Sequence, residues 1–82
     1  MKTTIEKVRD EFKEKVANSF YLNSQDYHYL INNEEDALCI VFFRKAIYSI
    51  EIKTLLKIIR KYKLRYYITN NESYRTLSMY IF

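Results

Sequence analysis

Apolar residues recur at spacings of three and four near the start of the chain: Ile5, Val8, Phe12, Val16 and Phe20. Such spacing draws one narrow stripe on a helix and predicts a helix over residues 4–19. Thr3-Thr4-Ile5-Glu6 heads it as a capping box, in which the Thr3 hydroxyl takes an orphan amide proton and Glu6 reaches back. The remaining faces carry charges of both signs three or four residues apart, as in Glu11 and Lys15, which suits a solvated helix.

After the polar break Asn23-Ser24-Gln25-Asp26 the period changes to two. Tyr27–Ile31 and Leu38–Phe43 are rich in strand formers, and Asn32-Asn33-Glu34-Glu35-Asp36 between them supplies residues that tolerate left-handed backbone. A second helix is predicted over residues 49–63, where Ile52, Leu55, Leu56, Ile58, Ile59 and Tyr62 form an apolar arc. Residues 46–52 also fit a strand, because Tyr48, Ile50 and Ile52 alternate with polar positions. The helix is preferred there: Ser49 suits an N-cap, Glu51 suits a first turn, and Arg44-Lys45 suits a two-residue hairpin poorly. Arg65–Thr69 and Tyr74–Phe82 complete the pattern as two strands around Asn70-Asn71-Glu72-Ser73.

The order α-β-β-α-β-β predicts an α+β two-layer sandwich, a four-stranded antiparallel sheet with both helices on one face. It also suggests an αββ duplication. A shift of 38 lays Tyr29-Leu30-Ile31-Asn32-Asn33-Glu34 on Tyr67-Ile68-Thr69-Asn70-Asn71-Glu72. A shift of 39 lays Leu38–Phe43 on Leu77–Phe82, which implies one extra residue in the second hairpin loop.

Alternation then divides the sheet into two faces. With Leu38, Ile40, Phe42, Leu77, Met79 and Ile81 turned to the helices, Cys39, Val41, Phe43, Ser78, Tyr80 and Phe82 turn outward. The repeat alignment adds Tyr27, Tyr29, Ile31 and Tyr67 to that outer face. A face so aromatic and aliphatic is the signature of an interaction surface, and its expected interface residues are Tyr27, Tyr29, Val41, Phe43, Tyr67, Tyr80 and Phe82.

Composition narrows the chemistry. The 82 residues read as a single domain, 1–82, with 49% hydrophobic and 17% aromatic residues and no Gly or Pro. Without Gly, neither phosphate-cradling loops nor a Gly-flanked nucleophile elbow can form. One Cys excludes an intrachain disulfide. His28 and Cys39, the only residues of a nucleophile pair, are expected on opposite faces of the first hairpin. Glu34-Glu35-Asp36 diverge in a turn and lack calcium-loop spacing. No enzyme activity, cofactor or metal is therefore expected. The longest apolar run, Ala37 to Phe43, falls far short of the roughly 20 residues that span a bilayer, and no membrane partner is expected.

Charge is uneven along the chain. The formal net charge is +4, but the residues after Val41 include nine of the fourteen Lys and Arg and only two acids, Glu51 and Glu72. On the second helix Lys53, Lys57, Arg60, Lys61 and Lys63 form the expected contact for an anion or a nucleic acid. The expected function is a small cytoplasmic binding protein, a homodimer or an inhibitor or accessory factor of a host protein. The abundance of Ile, Lys, Asn, Tyr and Phe, residues with AT-rich codons, suggests a viral, phage or mobile-element source. The alternative is a nucleic-acid-binding protein that contacts phosphates through helix 49–63.

Overall fold

The structure, a computed structural model, describes residues 2–17, 27–44 and 46–82. Helix α1 spans Thr4–Phe12 and continues as a π-helical segment, Lys13–Ala17. Its start is the expected capping box: the Glu6 N–H donates to Thr3 Oγ1 at 3.3 Å and the Thr3 N–H to Glu6 Oε1 at 3.2 Å. Ile5, Val8, Phe12 and Val16 are fully buried, so the stripe faces the core as the spacing predicts. The last residue of the stripe, Phe20, lies outside the described residues.

Strands β1 (Tyr27–Asn32), β2 (Ala37–Phe42), β3 (Tyr66–Asn71) and β4 (Thr76–Ile81) form one antiparallel sheet in the order β1-β2-β4-β3. Helix α2 spans Ser49–Lys61, which settles residues 49–52 as helix. The fold is thus α+β, with the element order α-β-β-α-β-β. Most boundaries shift by one or two residues. β1 ends at Asn32 rather than Ile31, β2 runs Ala37–Phe42 rather than Leu38–Phe43, β3 runs Tyr66–Asn71 rather than Arg65–Thr69, and β4 runs Thr76–Ile81 rather than Tyr74–Phe82. Helix α2 ends two residues before Lys63, and its N-cap is Tyr48 rather than Ser49. Tyr48 takes the cap because its N–H donates to the Glu51 carboxylate at 2.7 Å.

A single shift of 39 relates the two hairpins. It lays Tyr27–Asn32 on Tyr66–Asn71 and Ala37–Phe42 on Thr76–Ile81, and no extra residue enters the second loop. The left-handed turn residues obey it too, Asp36 and Arg75, each with φ 53°. The central pairing is centred on the same relation, since Ile40 lies opposite Met79, its own equivalent. The two hairpins are therefore related by a pseudo-two-fold axis through that pair.

This register corrects the expected facing of β1. Antiparallel partners share a face, and Tyr27, Tyr29 and Ile31 lie opposite Phe42, Ile40 and Leu38, which are core residues. Tyr27 and Tyr29 therefore point toward the helices: Tyr27 is buried, and Tyr29 and Ile31 pack half-buried against the core. The shift of 38 misplaces them because a slip of one residue exchanges the two faces of a strand. Tyr67, opposite Tyr80, lies on the outer face as expected.

A chain without Gly must place other residues where φ is positive. At the end of α2 the Leu64 N–H donates to the Ile59 carbonyl at 2.9 Å and the Lys63 N–H to the Arg60 carbonyl at 3.2 Å, with Lys63 at φ 57°. These bonds make a Schellman cap whose left-handed position ordinarily favours glycine. A side chain in that conformation costs about 1–2 kcal/mol. Lys63→Gly is accordingly expected to raise stability by about 1 kcal/mol, read as a higher urea midpoint at unchanged slope.

Candidate protein-binding face

Both helices lie on one side of the sheet, and among the described residues no layer covers the opposite side. The register arranges them in rows across the strands. One row runs Leu30, Cys39, Tyr80, Tyr67, and the row above it runs Asn32, Ala37, Phe82, Arg65. Leu30, Tyr67 and Phe82 are each about half exposed (52%, 49% and 44%), as is Phe43 at the other end of β2. Val41 and Tyr80 are half-buried among them. Ser78, Thr69, Thr76 and Asn71 make the far corner polar. The face is thus an apolar band with one polar corner and with His28, Asn32 and Arg65 exposed at its margins.

Of the seven expected interface residues, the structure brings Val41, Phe43, Tyr67, Tyr80 and Phe82 together and assigns Tyr27 and Tyr29 to the core. Two contributors went unread. Leu30 takes the place given to Tyr29, and its signal is the alternation of β1 read one residue over. Tyr74, 77% exposed in the β3–β4 turn, lines a shallow groove with Leu30, Val41, Phe43 and Tyr80. A second groove, about 230 Å³, runs past Leu30, Ala37, Cys39 and Tyr80.

Ring geometry limits what the band can receive. Tyr67 and Tyr80 stack on each other at 4.8 Å with planes 15° apart, and Phe82 meets Tyr67 edge-on at 5.9 Å. The two tyrosines thus cover one another's faces, whereas a base-stacking platform leaves ring faces open. The geometry suits apolar side chains packed against ring edges.

Cys39 and His28 occupy the same outer face, not opposite ones: His28 lies opposite Val41, and Cys39 lies opposite Leu30. This corrects the expected separation without making a nucleophile pair. The His28 ring lies 6.4 Å from that of Phe43, and burial pushes the Cys39 thiol up, away from the thiolate that attack requires. Among the described residues no group of three His, Cys, Asp or Glu side chains is placed to hold a metal ion.

The basic helix is less free than its sequence implies. Lys61 Nζ lies 2.6 Å from Glu11 Oε1, and the Tyr62 hydroxyl donates to the same oxygen at 2.5 Å. Those bonds hold the Glu11 carboxyl below the usual carboxylate range. Lys53, Lys57 and Arg60 are exposed, as is Lys63 in the cap, and none has an ion-pair partner among the described residues.

A polar cluster under the sheet went unread as well. Glu51, fully buried, accepts from the Tyr27 hydroxyl, from Arg44 and from the Tyr48 N–H. The Arg44 guanidinium lies 4.4 Å from the centre of the Tyr48 ring and 5.6 Å from that of Phe42. Burial, then the hydrogen bond to Glu51, pushes the Tyr27 hydroxyl up from its ordinary value. These bonds join β1, the end of β2 and the start of α2, which makes the cluster a structural anchor.

Among the described residues no helix is long and apolar enough to cross a membrane. No protein-family model, curated protein or solved structure matches the chain.

Proposed function

We propose that the chain is a non-enzymatic protein-binding module whose outer sheet face is its docking surface, with a second copy of the chain as the simplest occupant. The observation that carries this reading is the apolar row Leu30, Cys39, Tyr80, Tyr67, in which Leu30 and Tyr67 stand about half exposed on either side of the buried Cys39, extended by the exposed Phe43 and Phe82. Six-residue strands at about 3.3 Å per residue and four strands about 4.8 Å apart give the face a planar footprint of roughly 400 Å². The apolar band occupies part of that footprint, and contiguous apolar patches of a few hundred Å² on small soluble proteins are often functional. Aromatic residues at the centre with a polar margin match the anatomy of protein interfaces.

The basic helix supports the second reading, phosphate contact, more weakly. With Lys61 engaged by Glu11, the stripe on α2 reduces to Lys53, Lys57 and Arg60. Three such contacts give a salt dependence of slope about −3, the level of non-specific attraction.

Exchanging Tyr80 and Phe43 for Ser removes the centre and one flank of the band and no core side chain. The double variant is expected to stay folded and to halve the weight-average mass of the protein at micromolar concentration, as read by light scattering. An unchanged mass would overturn self-association through this face.

A further inference from the structure

The edge of the sheet at β3 carries a separate contact. Arg65 and Phe82 exchange both backbone hydrogen bonds, at 2.7 and 2.9 Å. Antiparallel ladders alternate, so Tyr67, Thr69 and Asn71 also turn their N–H and C=O groups toward β4. The same groups of Tyr66, Ile68 and Asn70 point away from the sheet. All six residues of β3 are exposed, and the strand has no charge, no Pro and no bulge. Those are the devices by which natural edges avoid pairing. The other edge is different: the side chains of Tyr27, Tyr29 and Ile31 lie against the core, and Lys13 of the π-helical segment covers the Tyr29 ring at 4.9 Å. On β3, Tyr66 and Ile68 occupy the helix side of the sheet yet remain 42% and 44% exposed.

We infer that β3 pairs antiparallel with β3 of a second copy, joining two four-stranded sheets into one of eight strands. The outward backbone groups are symmetric about Ile68, so a two-fold axis there lays Ile68 on Ile68 and Tyr66 on Asn70 of the second copy, with every outward group bonded. Charge favours this direction. The start of β3 is basic through Lys63 and Arg65, and its end carries Glu72. Antiparallel pairing sets the basic end of one strand beside the acidic end of the other, and a parallel pairing would set like beside like. The contact repeats one already inside the chain, where β2 and β4 meet antiparallel with Ile40 opposite its equivalent Met79. It uses the rim of the sheet and does not rest on docking through the outer face.

Amide hydrogen exchange of the full chain, followed by NMR between 10 µM and 1 mM, tests the pairing. Among the described residues the Ile68 N–H has no partner, and docking through the outer face would leave it so. Edge pairing predicts that its exchange slows at least about ten-fold as concentration rises, in step with a doubling of mass. Ile68→Pro removes that outward N–H and no hydrogen bond of the β3–β4 ladder, at a position where an edge strand tolerates proline. Ile68→Lys places a charge on the edge without touching the backbone. Either variant is expected to halve the mass, in the wild-type background and in the Tyr80 and Phe43 double variant alike. Fast exchange of Ile68 at 1 mM would overturn the pairing and leave the outer-face reading standing. Slowed exchange with the mass unaffected by the Tyr80 and Phe43 changes would overturn the outer face alone.

Discussion

Glu51→Ala is expected to cost the fold about 3–5 kcal/mol, the loss typical when one partner of a buried ion pair is removed. The carboxylate is fully buried and gathers three donors from three parts of the chain: the Tyr27 hydroxyl, Arg44 and the Tyr48 N–H. Without it, Arg44 keeps its charge in a largely buried site between aromatic rings, where Nε and Nη1 already lack partners among the described residues. A domain of this length has total stability of roughly 4–12 kcal/mol, so the variant should be partly or wholly unfolded at 37 °C. Glu51→Gln keeps one acceptor oxygen, which can serve the Tyr48 N–H on one side or Tyr27 and Arg44 on the other but not both, so its cost should be smaller than that of Glu51→Ala, about 1–3 kcal/mol. Replacing the pair together, Glu51→Leu with Arg44→Met, should recover most of the loss, because the cost lies in the orphaned charge. Urea unfolding of the set followed by circular dichroism measures each difference. A midpoint for Glu51→Ala within about 0.5 kcal/mol of wild type would show that Arg44 is not held by this carboxylate.

Glu51 also marks the limit of what a linear pattern contains. Its position in the first turn of α2 was legible, since acids favour that end of a helix. Its partners Tyr27 and Arg44 lie 24 and 7 residues away, and no periodicity links them. The elements themselves were legible because each hydrophobic period is local. The stripe Ile5, Val8, Phe12, Val16 reports a helix without reference to any other part of the chain, and the alternation of Leu38, Ile40 and Phe42 reports a strand face. Facing between strands is a long-range property. β1 carries Tyr27, Tyr29, Leu30 and Ile31, so either parity of that strand offers apolar side chains, and only its pairing with β2 decides between them. The outer face was identified correctly wherever the strand itself alternated, at Val41, Phe43, Tyr80 and Phe82, and wrongly at Tyr27 and Tyr29, where it did not. The engagement of Lys61 was illegible for the same reason as the partners of Glu51. Its partner Glu11 belongs to another helix, 50 residues away.

Phe12→Ala is expected to produce a loss of about 3–5 kcal/mol, comparable to that of Glu51→Ala but from a different source. Phe12 is fully buried at the last residue of α1, where the helix widens into its π-helical segment. Its ring meets Tyr27 edge-on at 5.1 Å, Tyr29 at 6.2 Å and Phe42 at 6.4 Å. Each such contact contributes about 0.5–1.5 kcal/mol beyond the area it buries, and deletion opens a cavity that three rigid rings cannot collapse to fill. Burial holds the Tyr29 hydroxyl at about 12, and this group has no hydrogen-bond partner among the described residues. A cavity admitting water beside it would bring that value down toward the ordinary tyrosine range. The variant is therefore expected to show a lower urea midpoint together with Tyr29 ionising at lower pH, followed by ultraviolet absorbance. Phe82→Ala is the control, since its ring lies half exposed on the outer face, and it should change stability by less than about 1 kcal/mol. Equal losses from the two substitutions would mean that α1 does not close the core at Phe12.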